Sequence, residues 1–462
     1  MRPVLIAALL SSLAGCSAMP AYHPPRIETP PAFREASAAP SPATAVPVDW
    51  WTGFGDPALD SLEARIPANP RLAEALARYD AARASLAEAK AARAPTIDAT
   101  ARTMENRLSD GRPMRGPFPL RYADDSLGAA LSYHPDLWGR VRAGVAAGRA
   151  EASAGAEDVA AVRLSLQAML ADTYLVLRGQ DERIALLSRT VDAFTRADGL
   201  TQRRHEGGIA SGLDTGRAGT QLEEARALLA QARLDRAVAE HAVAALVGAS
   251  ASAFTLPVGS LPVRMPTLAP GTPAAMLASR PDVAAAERRM AAANARVGLA
   301  RTAFFPDVAL DAQAGLQSGG IARLLRASNL FWSIGPAAVL NLFDGGRRRA
   351  GVARATAEWN RTAADYRATV LDACREVEDA LAAERQLAEA GAAERRAADE
   401  AETVDALALD RYVKGAVTYL DVATAQSAAL RVRQSAIELS VRRLQAGVAL
   451  ARALGGGLPA QG

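Results

Sequence analysis

Two hydrophobic periodicities run along this chain, and each occurs twice. Apolar positions step by three and four at Val159, Val162, Leu166 and Met169, at Ile184, Leu187, Val191 and Phe194, and at Val370, Cys374, Val377 and Leu381. That spacing is a seam along which helices pack on one another. The stripes fall in two stretches without proline, from Pro135 to Pro257 and from Pro336 to Pro459. Proline breaks helix interiors, and both stretches are rich in Ala, Leu, Glu, Gln and Arg, which favour helix. Each stretch is interrupted once near its middle, at Gly207-Gly208 and at Gly415. The pattern therefore predicts two helical hairpins, about 137–248 and 344–453, whose first arm would be roughly 90 Å long at 1.5 Å per residue.

The second periodicity is two. Ile97, Ala99, Ala101 and Thr103 alternate with Asp98, Thr100 and Arg102, and Leu127, Ala129, Leu131 and Tyr133 with small or polar neighbours. Val308, Leu310, Ala312, Ala314 and Leu316 alternate with Asp311, Gln313 and Gln317, and Leu330, Trp332, Ile334, Ala338 and Leu340 continue the theme. These read as strands at about 96–107, 123–134, 307–318 and 330–342, joined in pairs by the Gly- and Arg-bearing loops Ser109–Tyr122 and Ser318–Asn329. An apolar face opposite a polar or small one suits both a transmembrane β-barrel wall and a half-buried soluble sheet. The order is duplicated. Pro70 to Pro95 and Pro281 to Pro306 are equal intervals, and Arg204-His205-x-x-Gly208-x5-Asp214 recurs as Arg411-Tyr412-x-x-Gly415-x5-Asp421. The expected partition is a first repeat over 57–256, an equatorial linker over 257–280, a second repeat over 281–453 and a tail over 454–462.

The N-terminus bears on compartment and membrane. Arg2 and the apolar run Val4–Leu10 form an export leader over 1–15, too short to span a bilayer. Leu13-Ala14-Gly15-Cys16 resembles the bacterial lipobox, so Cys16 is the expected lipid-attachment residue, and Ser17 after it favours sorting to the outer membrane. Residues 16–56, rich in Pro, Ala and Ser, should run extended as a tether. No other segment reads as long and apolar enough for a transmembrane helix, so a crossing would use strands. Four strands cannot close a barrel, and an open edge cannot face lipid, so the chain should oligomerise. Two copies would give eight strands and a filled lumen, three would give twelve and room for a pore.

Composition removes other classes. Fifty-three Lys and Arg nearly balance 50 Asp and Glu, for a net charge of +3. They alternate along helices as solvated faces, which is not the footprint of a nucleic-acid binder. His23, His134, His205 and His241 are scattered, without metal-ligand spacing, and no nucleophile or phosphate-loop motif occurs. No catalytic, cofactor or metal site is expected. Cys374 is the only cysteine besides Cys16, so the mature chain holds no internal disulfide.

From Trp50 to Leu454-Gly455-Gly456-Gly457 the chain resembles the TolC-like outer-membrane efflux proteins, in the lipoprotein (NodT-like) branch that serves RND (resistance–nodulation–division) pumps. The resemblance rests on Asp136-Leu137-Trp138-Gly139-Arg140, Arg280-Pro281-Asp282-Val283, Ala303-Phe304-Phe305-Pro306, Phe343-Asp344-Gly345-Gly346, Glu376-Val377-Glu378-Asp379-Ala380-Leu381 and Arg411-Tyr412-x-x-Gly415, in that order. It implies an α+β membrane protein: a homotrimer whose twelve-stranded barrel continues into a long periplasmic α-helical barrel. It further implies partners, a periplasmic adaptor protein and an inner-membrane RND transporter, with outer-membrane lipid around the barrel.

By the same resemblance the hairpin ends form a periplasmic tip where the pore constricts. Gly208 and Gly415 become turn and adaptor-contact residues, with Lys414 beside them. Asp214 and Tyr412 become gate residues, with Asp421 the repeat partner of Asp214; the alternative for each Asp, Asp421 above all, is a helix-start residue. Where relatives often carry a charge two residues after the second glycine, this chain has Val417, so the lock is either apolar or made by Lys414 and the Arg203-Arg204 pair. His134-Pro135 also departs from the family pattern. Two further readings stay open: the exit channel of an ABC-driven protein secretion system, and a non-conducting structural lipoprotein.

Overall fold

The computed structural model describes residues 19–25, 27–36, 46–111 and 119–457. The leader and Cys16, the centre of the first loop and the last five residues lie outside the described residues. Eight α-helices and four strands are named here: α1 (Pro57–Glu63), α2 (Pro70–Ala91), β1 (Thr96–Arg107), β2 (Arg121–Tyr133), α3 (Arg140–Glu206), α4 (Gly212–Leu246), α5 (Pro273–Ser279), α6 (Pro281–Thr302), β3 (Asp307–Ser318), β4 (Leu330–Val339), α7 (Arg347–Val413) and α8 (Tyr419–Ala453). Both long helices have 67 residues and both of their partners 35.

The repeats are also fastened alike. Asn69, just before Pro70, donates from Nδ2 to the carbonyl of Leu246 at 2.7 Å, the last residue of α4. Arg280, just before Pro281, donates from Nη1 to the carbonyl of Ala453 at 2.9 Å, the last residue of α8. Helix ends leave carbonyls without intrahelical donors, and each repeat satisfies one at its last helix from the residue just before its own 22-residue helix, α2 or α6.

The chain divides into two compact units. One comprises residues 1–26, 79–155 and 286–366, the other 27–78, 156–285 and 367–462. The first holds an antiparallel sheet of order β1-β2-β3-β4. Thr96 pairs with Ser132, Asp125 with Ser318 and Asp307 with Val339. Its centre is a glycine pair: Gly128 lies opposite Gly315. A Cβ on Gly315 would sit 2.5 Å from the carbonyl oxygen of Leu127, closer than any side chain tolerates. The apolar face is bare. Trp332 is 72% exposed, and Ile97 and Ile334 are comparable. Polar partners sit on the other face, where Gln317 donates to Asp124 and Ser132 to Asp311. β1 and β4 are unpaired edges, and β4 accommodates Pro336 because an edge strand can lack one N–H. β2 begins two residues before the expected start and β4 ends at Val339, not at Leu342.

Strand-to-helix turns use an aspartate each time. Asp136 accepts from the N–H groups of Val141 and Arg142 at 2.9 and 2.8 Å, and Asp344 from those of Gly346 and Arg348 at 3.0 and 3.1 Å. His134 Nδ1 lies 3.2 Å from Asp307 Oδ1, giving the unusual His134-Pro135 pair a local partner.

The second unit holds the main core, from Leu59, Leu62, Leu166, Leu170, Leu175, Val243 and Val448. Trp50 and Phe54 are buried in it within a 3-10 turn, Trp50–Phe54. The end of the expected tether is thus core: two aromatics outweigh its Pro- and Ala-rich surroundings. One reading is corrected. A window within α3 is long and apolar enough to cross a membrane by composition. Leu166, Leu170, Leu175 and Leu177 on α3 are buried against other helices, the usual fate of a core helix.

Candidate functional site at the hairpin turns

The two hairpin turns are built by one device used twice. At the end of α3, Gly208 adopts φ 71°, and at the end of α7, Gly415 adopts φ 75°. Positive φ carries no steric cost for glycine. The N–H of Ile209 reaches the carbonyl of Arg204 at 2.8 Å and that of Gly208 reaches His205 at 2.9 Å. Ala416 to Arg411 and Gly415 to Tyr412, both 2.9 Å, repeat the pattern. These are Schellman closures, which supply donors to carbonyls at a helix end.

Each following helix opens with a capping box. Ser211 Oγ accepts from the N–H of Asp214, whose Oδ2 accepts from the N–H of Ser211, both at 3.2 Å. Asp421 Oδ2 accepts from the N–H and the hydroxyl of Thr418 at 2.9 and 2.8 Å. Hydrogen bonds from the Thr418 hydroxyl and backbone hold the Asp421 carboxyl below the usual carboxylate range. Within one chain, then, Asp214 and Asp421 each fasten their own turn, and neither is hydrogen-bonded to Tyr412. Lys414 is similarly local: its Nζ lies 2.8 Å from Asp410 Oδ2, an exposed pair one turn apart.

Tyr412 is different. It is 6% exposed and lies in an apolar cluster with Ala197, Ala218, Tyr419 and Val422, against which Val417 packs. Its ring meets that of Tyr419 edge-on at 5.5 Å. Its hydroxyl is buried without a hydrogen-bond partner. Arg204 supplies the cross-link between hairpins. Its guanidinium lies 4.6 Å from the Tyr412 ring centroid. It donates to the carbonyls of Tyr412 at 2.9 Å and Val413 at 2.7 Å. One residue of the first hairpin thus serves the open end of α7, where a cation is also favoured by the helix dipole.

A second tie lies one turn further on. Gln221 donates to the carbonyl of Ala423 at 3.0 Å and to Ser427 Oγ at 3.1 Å, while Tyr419 donates its hydroxyl to Gln221 Oε1 at 3.0 Å. Burial pushes the Tyr419 hydroxyl up to about 12, so it remains a donor throughout the physiological range. Gln221 and Tyr419 were not singled out from the sequence. Shifted by the repeat interval, Gln221 matches Ala428 and Tyr419 matches Gly212, so neither stands out by recurrence. Beside these ties an open groove of about 860 Å³ runs between α4 and α8, lined by Gly216, Thr220, Leu420 and Thr424.

No group of His, Cys, Asp and Glu among the described residues has metal-binding geometry. Cys374 is half-buried on α7, and burial pushes its thiol up, which disfavours the reactive thiolate.

Comparisons with known proteins agree with this architecture. The model of the outer membrane efflux protein family matches twice, over residues 63–249 and 272–456, once per repeat. The outer membrane protein OprJ of Pseudomonas aeruginosa is 32% identical, with 96% of this chain and 94% of OprJ covered. The toluene efflux pump outer membrane protein TtgF of Pseudomonas putida is 30% identical, with 97% and 96% covered. Among solved structures, the outer-membrane channel OprN superposes with a TM-score of 0.90 at 27% identity, over 96% of this chain and 99% of that one. The open-state Neisseria gonorrhoeae MtrE outer membrane channel gives 0.82 at 25% identity, over 96% and 99%. The chain belongs to the outer membrane efflux protein family and is an outer-membrane protein of the TolC-like fold.

Proposed function

We propose that this protein is the passive, gated outer-membrane duct of a tripartite RND-type efflux assembly. The observation that carries the reading is the sheet: four strands, apolar on one face and polar on the other, with both edges open. Lipid tolerates no open edge. Two further copies close it into twelve strands, leaving a polar bore. Cys16, acylated, anchors each chain to the same membrane, and several acyl chains on one residue hold firmly where a single chain binds marginally.

The hairpin turns are the periplasmic gate. Arg204, Tyr412, Tyr419 and Gln221 hold the two hairpins of each chain together, and Asp214 and Asp421 set the angle at which α4 and α8 leave their turns. The groove lined by Gly216 and Leu420 receives the adaptor, and Gly208, Gly415 and Lys414 at the turns contact it as well. Energy comes from the inner-membrane transporter. Relatives named for pumping toluene support small toxic solutes as cargo.

Purified protein tests this. Native mass should be three times that of the chain, and planar bilayers should show small, flickering conductance. A trimer that inserts yet never conducts would favour a structural lipoprotein instead. A neighbouring gene for an ABC transporter, and none for an RND pump, would point to protein secretion.

A further inference from the structure

An arginine-lined groove of about 970 Å³ lies between α6 and the first turns of α7. Alanines of both helices line it together with Arg296, Arg347, Arg348, Arg354 and Arg361, and Glu358 is the one acid among them. Three of these arginines are neutralised. Arg296 pairs with Glu151 at 2.9 Å, Arg348 with Asp344 at 2.7 Å and Arg361 with Glu358 at 2.7 Å. Arg347 and Arg354 are exposed and make no ion pair among the described residues. Being seven apart, they project from the same side of α7, two turns from one another.

Which side that is follows from the N-terminal segment. Tyr22 donates its hydroxyl to Glu287 Oε1 at 2.5 Å, and Asn294 donates from Nδ2 to the carbonyl of Pro20 at 3.1 Å. Met19 closes on Gly298, where a Cβ would meet Met19 Cα at 2.8 Å. At 100° per residue, Glu287, Asn294 and Gly298 share one face of α6, and the groove residues Arg296, Ala300 and Ala303 lie roughly 180° around it. Met19 is three residues from Cys16. If Cys16 carries lipid, its segment must run outside the duct, and the opposite face of α6 looks into the bore.

We propose that Arg347 and Arg354 form a basic collar inside the duct, just below the strands, that favours anionic solutes such as aromatic carboxylates. The inference rests on the duct reading and on the anchor at Cys16. In a trimer it places six unpaired guanidiniums around one bore. Confined charge of one sign concentrates counter-ions, and its reach, about 8 Å at physiological salt, spans much of a narrow passage. The collar opposes the acids on the polar strand face, Asp98, Asp124 and Asp311. Its contribution is therefore read by comparing variants, not from the wild type alone.

The test is the reversal potential of the full-length trimer in planar bilayers under a tenfold KCl gradient, repeated with benzoate replacing chloride. Arg347→Gln/Arg354→Gln should lower anion over cation permeability by about threefold or more, for both anions. Arg347→Glu/Arg354→Glu should carry it further in the same direction. Arg349→Gln, about 160° from Arg347 around the helix, should leave it within error. Current with an unchanged ratio in the double variants overturns the collar alone, as does an equal shift from Arg349→Gln. Absence of current from every inserted trimer overturns the collar and the duct together.

Discussion

If the hairpin turns are the gate proposed above, Arg204 is the residue whose loss should open it. Its guanidinium makes two hydrogen bonds to carbonyls at the end of α7 and covers the Tyr412 ring. A hydrogen bond from a charged donor contributes about 1.5–3 kcal/mol where shielded, as at the Tyr412 carbonyl. The Val413 contact is exposed, so screening reduces its share below about 1 kcal/mol. Stacking over Tyr412 adds about 0.5–1 kcal/mol. Water can replace part of this when the hairpins separate, which leaves about 2 kcal/mol favouring the closed tip. At 1.4 kcal/mol per tenfold, Arg204→Ala should raise the open-to-closed ratio about 10- to 50-fold. Arg204→Lys keeps the charge but cannot reach both carbonyls with one planar fork, so it should fall between. Single-channel recording reads the ratio directly as open probability. If inserted Arg204→Ala trimers stay within twofold of wild type, the two hairpins of a chain do not separate on opening, and the gate assignment fails.

Four other outcomes are expected. Burial pushes the Glu63 carboxyl up to about 9, and neither of its oxygens has a hydrogen-bond partner. A carboxyl raised in the folded state contributes fully below its unfolded value of 4.5 and progressively less as pH climbs to 9. Glu63→Gln should therefore raise the melting temperature by a few degrees at pH 8, with the gain shrinking toward pH 5; an equal gain at both would disprove the burial argument. Gly315→Val drives a side chain into the β2 backbone and should abolish the sheet, read as loss of heat-resistant trimer on gels. Asp421→Ala removes one capping box, worth about 1 kcal/mol; amide exchange over the first turn of α8 should quicken about fivefold, while that of α4 stays unchanged. Cys16→Ala should eliminate incorporation of labelled palmitate, and persistent labelling would place the lipid elsewhere.

Hairpins and strands are legible in the sequence because each depends on a local rule: absence of proline over long windows, one glycine at each bend, alternation over ten or more residues. Strand ends are less so. Leu340 and Leu342 continue the alternation, yet pairing stops at Val339, where β3 begins at Asp307 and offers no further partner. Trp50 and Phe54 were obscured by their neighbours, since composition averages over a window and burial belongs to single side chains. The ties between the two hairpins were the least legible part. Asp214 and Asp421 stand out by recurrence, but recurrence marks what both copies need, which is a helix start. Arg204 and Gln221 act across the hairpins, and no spacing within one hairpin reveals a contact to the other.

That difference suggests how a duplicated chain acquires a lock. Two identical hairpins would present identical tips, with nothing on one designed to hold the other. The Schellman turns and capping boxes have stayed the same in both copies, because each serves its own backbone. Arg204 is matched by Arg411, but its partners in the cross-ties occupy positions where the copies have diverged: Tyr412 stands where the first copy has His205, Tyr419 where it has Gly212, Gln221 where the second has Ala428. The small residues that match Tyr419 and Gln221 in the other copy matter as well. Gly212 lines the open groove beside the ties, and Ala428 lies across from it. A large side chain at either place would fill the groove. Divergence thus produces a fastening on one side and a recess on the other, and an adaptor seated in that recess would bear on the helices that Gln221 and Tyr419 join. Swapping the pair, Gln221→Ala with Ala428→Gln, tests the coupling: the channel should lose its closed state, and adaptor binding should weaken with it.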